Sequence, residues 1–247
     1  SMFSVPGTAE EVKAYFTKLT SIAHQYGMIV DGDCNTEFLK KMGASEKDLT
    51  VFKEMGIDQI RMDLPYFDER DVELINNPLG IKIELTAAMV DAVRLALKNG
   101  ANPANFSACH NFYPERYTGA DLESIVSVNK ELAELHIPAA VFISSNNPDG
   151  THGPWPVNDG LPTLEDHRWI SAELQVRHLI AVGNVSEIIF GNAFASEEEF
   201  ASIDEVMKAA YRNIPENKDF GFMSSLLPHG EIEYVPFRAE LEEGVTD

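Results

Sequence analysis

Strand-like and helix-like segments alternate along the chain, and this alternation constrains the fold more than any other feature. Short apolar runs that end in polar or small residues are followed by segments with helical periodicity. Such alternation is typical of parallel strands joined by crossover helices. The predicted strands cover residues 2–4, 28–30, 59–63, 81–85, 106–111, 139–143 and 187–192, and 234–241 is a candidate closing strand.

Both a (β/α) barrel and a doubly wound open sheet show this alternation. No glycine-rich G-x-G-x-x-G turn follows any predicted strand, and polar residues cluster where several strands end. These two observations favour an α/β fold of the TIM-like (β/α)8 barrel type, with its active site at the carboxyl ends of the strands. The 247 residues fit one such barrel, and we predict a single domain over 1–247.

The charge of the chain opposes some classes of partner. It has 40 acidic and 19 basic residues, for a net charge of -21, and phosphate backbones and anionic membranes need clustered Lys and Arg. Cys34 and Cys109 are too few for a disulfide framework, which indicates a reduced, cytoplasmic protein. The seven histidines do not form an H-x-H or H-E-x-x-H motif, so we predict no metal site.

Four acidic residues follow or end three successive predicted strands: Asp31, Asp33, Asp63 and Glu84. In a barrel they are expected to face one another across the mouth. Paired carboxylates suit glycoside hydrolysis, because one donates a proton to the leaving oxygen while the other attacks or activates water. The alternative for Arg61 and Asp63, which are two apart, is a structural ion pair that lines the interior.

Two further segments carry chemistry. His110, Asn111 and Tyr113 lie at the end of a predicted strand, and the alternative is that alternation turns some of them, such as His110, into the core. The long loop 144–168 ends in charges of both signs, among them Glu165, His167 and Arg168. Loops of this length are usually functional. The alternative there is a helix start at which Glu165 or Asp166 satisfies free backbone N–H groups.

These segments carry a resemblance to a known family. The stretch 110–114 followed by Thr118-Gly119, and Gly153-Pro154 followed by 160–165 and His167-Arg168, resemble the 6-phospho-N-acetylmuramidase family, with further agreement over 56–63 and 83–87. The resemblance implies a TIM-like barrel followed by a smaller cyclophilin-like domain. It also implies a cytoplasmic hydrolase that needs no cofactor. Such enzymes cleave N-acetylmuramic acid 6-phosphate from N-acetylglucosamine during recovery of cell-wall fragments in bacteria.

By comparison with that family, the chain starts at the second strand and stops near 235–245. We therefore expect that the first βα unit (about 30 residues) and the cyclophilin-like domain are absent, and that the chain is an excerpt of a longer protein. The chain also departs from the family's pattern at Thr86, Glu115, His152 and Asn192. Arg is common in the family at two of these positions, Glu115 and His152, so the phosphate-binding pattern is altered.

The leading hypothesis is a glycosidase that acts on this phosphorylated disaccharide. Its acid and base are drawn from Asp31, Asp63, Glu84 and Glu165, with their order left open. The expected substrate-binding residues are His110, Asn111 and Tyr113 for sugar hydroxyls or the N-acetyl group, Arg61, Arg116, His152, His167 and Arg168 for phosphate or the lactyl carboxylate, and Asn192. The alternatives are a barrel lyase or isomerase on a small phosphosugar, and a non-catalytic carbohydrate-binding protein. A homodimer is left open.

Overall fold

The computed structural model describes residues 2–148 and 159–211, and the chain divides into two compact units, Ser1–Cys109 and His110–Asp247. The strands are β1 Asp31–Cys34, β2 Gln59–Met62, β3 Lys82–Thr86, β4 Phe106–Cys109, β5 Ala139–Ile143 and β6 Glu187–Phe190. The α-helices are α1 Ala9–Gln25, α2 Thr36–Lys41, α3 Thr50–Glu54, α4 Glu69–Ile75, α5 Val90–Lys98, α6 Leu122–Glu134, α7 Ala172–Val182 and α8 Glu197–Tyr211. His152 and the candidate strand 234–241 lie outside the described residues.

The first unit contains four parallel strands whose spatial order follows the chain. β1 pairs with β2, β2 with β3, and β3 with β4, all in parallel. A doubly wound sheet reverses its strand order at a switch point, whereas a barrel keeps chain neighbours adjacent. The predicted α/β class with parallel strands is confirmed, and the sequential order is consistent with part of a TIM-like barrel. Closure with eight strands and a single domain over 1–247 stay predictions.

Helix α1 begins at a capping box. The Thr8 side chain accepts from the backbone N–H of Glu11, and the Glu11 side chain accepts from that of Thr8, which gives a capping box. Val12 and Phe16 are buried on one face of the helix. The helix ends before Gly27, whose φ of 70° suits glycine.

Two predicted strands are wrong. Residues Met2–Ser4 form a 3₁₀ turn, in which the Val5 N–H donates to the Met2 carbonyl and the Met2 side chain packs against Gly32. Met28 and Ile29 are 60% and 79% exposed and precede β1. The Met28 N–H is used to close the end of α1, because it donates to the Ala23 carbonyl.

The second unit is organised around β5, β6 and the helices α7 and α8. β5 and β6 pair in parallel. Their apolar side chains pack with one face of α7, where Val176, Leu179 and Ile180 are buried, and with Val206 of α8. Ser171 caps α7, since its hydroxyl accepts from the Leu174 N–H. These contacts give the second unit its own hydrophobic core.

Among the helices that the structure describes, none combines the length and the apolar character needed to span a bilayer.

Candidate active site

A polar row crosses the first unit. Asp33 on β1 is in register with Arg61 on β2, Arg61 with Glu84 on β3, and Glu84 with Ser107 on β4. Residues in register on neighbouring strands share a face of the sheet. Period-two alternation therefore places two carboxylates, a guanidinium and a hydroxyl side by side, and these four residues are called the polar row below.

Arg61 lies between the two carboxylates of the polar row. Its Nη1 donates to Asp33 Oδ1 at 3.1 Å, and its Nε lies 3.6 Å from Glu84 Oε1. The Arg61 and Glu84 side chains are 10% and 1% exposed, whereas that of Asp33 is 24% exposed. Burial alone would lower the pKa of Arg61, but the acidic groups around it, Asp33 and Glu84 among them, raise that pKa above its ordinary value. The guanidinium is therefore permanently charged.

Gln59 and Asp31 lie one step closer to the amino ends of the strands. The Gln59 side-chain amide donates to Asp31 Oδ2 at 3.0 Å and to Glu84 Oε2 at 3.1 Å. Desolvation by the surrounding groups raises the pKa of Asp31, although Asp31 keeps solvent-accessible surface and accepts the hydrogen bond from Gln59. Asp31 was expected near the end of its strand; it begins β1 instead, because residues 28–30 are not part of the strand.

Asp63 lies beyond the carboxyl end of β2 and is exposed. Its backbone N–H donates to the Cys34 carbonyl, and its carbonyl accepts from the Thr86 hydroxyl at 3.2 Å. Within the described part of the chain its carboxylate makes no hydrogen bond or ion pair. The alternative prediction of an Arg61–Asp63 ion pair is wrong, because the register of the strands directs Arg61 to Asp33 and Glu84.

Both cysteines are buried. Burial, aided by the nearby Asp33 carboxylate, raises the pKa of the Cys34 thiol to about 12. Burial and the Glu84 carboxylate raise the pKa of Cys109 as well. Both side chains therefore stay protonated at neutral pH and are poor nucleophiles.

A second charged cluster lies in the other unit and centres on Glu165 and Arg168. Arg168 Nε and Nη2 donate to the two Glu165 oxygens at 2.8 and 2.6 Å, and Nη1 donates to the carbonyls of Tyr113 and Asp159. Glu165 also accepts from the backbone N–H groups of Tyr117 and Gly119, each at 2.8 Å. The Arg168 side chain is 0% exposed, so its guanidinium serves to hold these loop segments together.

The hydrogen bonds to Glu165 fix its charge. Those from Arg168 are the main cause, and together they lower the pKa of Glu165 to about 2. Gly119 allows the close approach: a Cβ there would lie 2.8 Å from the Glu165 backbone. The charges of both signs at the end of this loop therefore pair with each other. The backbone N–H groups that Glu165 satisfies belong to the 117–119 segment instead of a helix start.

Two predicted histidines are buried. His167 is 0% exposed, and its Nε2 lies 2.8 Å from His178 Nδ1. Burial and the neighbouring His178 lower the pKa of His167 to about 4, so it is neutral at pH 7. His110 is 3% exposed, and its Nε2 lies 2.7 Å from the Asn129 amide oxygen. Asn129 on α6 therefore fixes the ring of His110.

Arg116 is exposed, and Asp159 orients it. Its Nε and Nη2 donate to the two Asp159 oxygens at 3.1 and 2.8 Å. The guanidinium also lies 5.9 Å from the ring of Trp169, which is 64% exposed. The hydrogen bonds from Asp159 raise the pKa of Arg116. The exposed and oriented guanidinium is suited to an anionic group.

The remaining predicted residues of this unit lie on loops after strands. Asn111 is exposed, and its carbonyl accepts from the Thr163 hydroxyl, while the Tyr113 N–H donates to the Pro162 carbonyl. Asn192 follows β6, and its amide oxygen accepts from the Ser145 N–H at 2.8 Å. The Ser145 hydroxyl in turn donates to Glu199 at 2.6 Å. Asn192 thus contacts the loop that follows β5.

The sequence reasoning missed Gln59 and Ser107. Both lie at the period-two positions that share the face of Arg61 and Glu84. That periodicity was the available signal, but it does not reveal register between strands.

Within residues 2–148 and 159–211, no group of three His, Cys, Asp or Glu side chains is placed to hold a metal ion.

Parallel strands in chain order, with carboxylates around a guanidinium on one face, define an α/β protein with a charged cluster on its sheet. The chain belongs to the 6-phospho-N-acetylmuramidase family: the model of that family's N-terminal part matches residues 1–205. The predicted family is confirmed, and its name indicates a glycosidase-type enzyme.

Two solved structures are similar to the chain. An uncharacterized B. cereus protein is 34% identical, with a TM-score of 0.70 over 77% of this chain and 53% of that one. A conserved Enterococcus faecalis protein of unknown function is 25% identical, with a TM-score of 0.68 over 85% of this chain and 60% of that one. The chain thus spans little more than half of either protein. None of the curated proteins matches it.

Proposed function

We propose that this chain is the sugar-cleaving part of a glycoside hydrolase that acts on N-acetylmuramic acid 6-phosphate linked to N-acetylglucosamine, in the cytoplasmic recovery of bacterial cell-wall fragments. The family match over residues 1–205 supports the reaction type. The polar row is the observation that carries the proposal within the structure, because it places carboxylates beside a fixed cation on one face of parallel strands.

In the proposed reaction, the two carboxylates that reach solvent near the carboxyl half of the strands contact the sugar. These are Asp33, whose side chain is 24% exposed, and Asp63, which is exposed. Asp33 lies beside the Arg61 guanidinium, an arrangement suited to a nucleophile or to stabilisation of positive charge at the anomeric carbon. Asp63 has no cation within reach among the described residues, and we assign it the proton transfers.

The other predicted carboxylates take supporting roles in this proposal. Glu84 is 1% exposed and holds Arg61 instead of contacting the sugar. Asp31 begins β1, away from the carboxyl end at which such sites form. Glu165 has its oxygens occupied by Arg168 and two backbone donors, which suits an anchor for the loop and not a proton carrier.

The phosphate is proposed to bind Arg116, because its guanidinium is exposed while that of Arg168 is buried. His167 is neutral and buried, so it contributes no charge there. The lyase or isomerase alternative gains no support from a Schiff-base lysine, because Lys82 begins β3 and so lies away from the carboxyl end of that strand.

The test is a substrate comparison. The purified protein is incubated with the phosphorylated disaccharide and, separately, with the same disaccharide lacking phosphate, and the products are identified by mass spectrometry. The proposal predicts release of N-acetylglucosamine from the phosphorylated disaccharide alone. Equal cleavage of both would refute the phosphate requirement. Binding of the phosphorylated disaccharide, measured by calorimetry, without any cleavage would favour the carbohydrate-binding alternative.

A further inference from the structure

Glu84 is a buried carboxylate whose position needs an explanation. Its side chain is 1% exposed, and a buried carboxylate is stable only when hydrogen bonds replace its lost hydration. Arg61 Nε is 3.6 Å from Glu84 Oε1, beyond the usual hydrogen-bond distance. Attraction to that nitrogen alone does not fix the orientation of the carboxylate.

Two neutral donors approach the other oxygen of Glu84. The Gln59 amide on β2 donates to Oε2 at 3.1 Å, and the Ser107 hydroxyl on β4 donates to the same oxygen at 3.2 Å. The donors come from the strands on either side of β3. Asp31 and the Cys109 thiol also form hydrogen bonds with Glu84. Gln59 and Ser107 add to these contacts on Oε2 and help to restrict rotation of the carboxylate, so that Oε1 faces Arg61.

We propose that Gln59 and Ser107 are positioning residues for the glycosidase reaction: they fix Glu84, which aligns Arg61, which in turn holds the Asp33 carboxylate toward the sugar. The inference rests on the proposed function for the role of Asp33. The chain of contacts itself is independent of it, and runs from Ser107 and Gln59 to Glu84 and on to Arg61 and Asp33.

The kinetic test uses Ser107→Ala and Gln59→Leu, each of which removes one donor to Glu84. A small displacement of reacting groups costs about 100-fold in rate, and we expect kcat to fall roughly 10- to 100-fold with little change in KM. Ser107→Thr keeps a hydroxyl and should restore most of kcat. Ser21→Ala and Gln25→Leu, at exposed positions on α1, are the matched controls and should keep full activity.

A second measurement separates this inference from the proposed function. The Arg61 side-chain Nε–H is observed by NMR in the unliganded protein and assigned through its loss in Arg61→Lys. If Glu84 orients Arg61, the signal shifts and exchanges faster with solvent in Ser107→Ala and Gln59→Leu, and recovers in Ser107→Thr. An unchanged signal in both variants overturns the positioning role, whether or not the protein cleaves the disaccharide. Loss of kcat equal in Ser107→Thr and Ser107→Ala would also overturn it.

Discussion

Two buried arginines, one in each unit, each pair with a carboxylate, but the two ion pairs have different roles. Arg168 donates to both oxygens of Glu165 and to two backbone carbonyls, and Glu165 accepts two further backbone N–H groups. Arg61 donates to Asp33, whose side chain stays 24% exposed. The Glu165 carboxylate is occupied and builds a loop, whereas the Asp33 carboxylate is still able to meet a substrate.

The largest expected effect is on catalysis by Asp33 of the polar row and by Asp63. Asp33→Asn keeps the shape of the side chain but removes its charge, and the same holds for Asp63→Asn. Loss of a group that transfers protons costs about 100- to 10,000-fold, and we expect kcat/KM for the phosphorylated disaccharide to fall by a factor in that range in Asp63→Asn. Asp33→Asn removes the negative charge proposed to attack or stabilise the anomeric carbon, so its kcat/KM should fall at least as far. Steady-state kinetics, with circular dichroism to verify folding, measures this. Asp68→Asn, at the N-cap of α4, is the control. Full activity in Asp33→Asn would remove Asp33 from the proposed site.

Glu165→Gln should act on stability instead. It leaves the buried Arg168 without its charge partner, which costs about 3 kcal/mol of unfolding free energy. Urea denaturation measures this loss, and Asp166→Asn, at the exposed neighbouring position, should unfold like the wild type. A folded, fully stable but inactive Glu165→Gln would reverse the comparison and make Glu165 catalytic.

Gly119→Ala tests the contact between the 117–119 segment and Glu165. The added Cβ would lie 2.6 Å from a Glu165 side-chain oxygen and 2.8 Å from its backbone, so the 117–119 segment must shift. We expect a loss of about 1–3 kcal/mol, measured by urea denaturation. The control is Ala104→Gly, which lies in a 3₁₀ turn away from this cluster. Gly100→Ala is not used as a control, because the positive φ of Gly100 would itself strain an alanine. Wild-type stability in Gly119→Ala would show that the close contact is not needed.

The pH dependence of stability tests the structural role of the Glu165 carboxylate. Because Arg168 and the backbone donors lower the pKa of Glu165 from 4.5 to about 2, the unfolded chain takes up this proton before the folded one. The stabilisation of the folded state by the ionised Glu165 carboxylate is present in full above pH 4.5 and is lost as pH falls toward 2. Glu165→Gln should therefore show a shallower loss of stability over this interval. Equal slopes for wild type and variant would contradict the assignment.

The smallest expected effect is at the protein surface. Arg116 and Asp159 form an ion pair in which the arginine is 56% exposed, so Arg116→Ala should leave the urea unfolding midpoint close to that of the wild type. If Arg116 binds the phosphate, its loss raises KM for the phosphorylated disaccharide about tenfold. Lys130→Ala, at an exposed position of α6, is the control. An unchanged KM would place the phosphate elsewhere.

Much of the fold was predictable because apolar periodicity is local. The strands β2 to β6 lie where the sequence predicts them. The start of β1 was not predictable in this way, because Met28 and Ile29 are apolar yet exposed. The sequence pattern does not show that the Met28 N–H closes the preceding helix.

The sequence predicted which residues belong to the candidate site better than it predicted the contacts between them. Arg61 and Glu84 were singled out, but the pairing of Arg61 with Asp33 depends on strand register, which alternation does not encode. Glu165 and Arg168 were expected to act on substrate. Their mutual pairing depends on the turn at 165–168 and on the distant 117–119 segment, which no local pattern reveals.

The most direct measurement is a side-by-side cleavage assay of the wild type and Asp33→Asn on N-acetylmuramic acid 6-phosphate linked to N-acetylglucosamine. We predict that the wild type releases N-acetylglucosamine and that Asp33→Asn, although folded, does not do so at a comparable rate. Equal release by both proteins would show that the polar row is not the catalytic site. No release by either would contradict the proposed reaction itself.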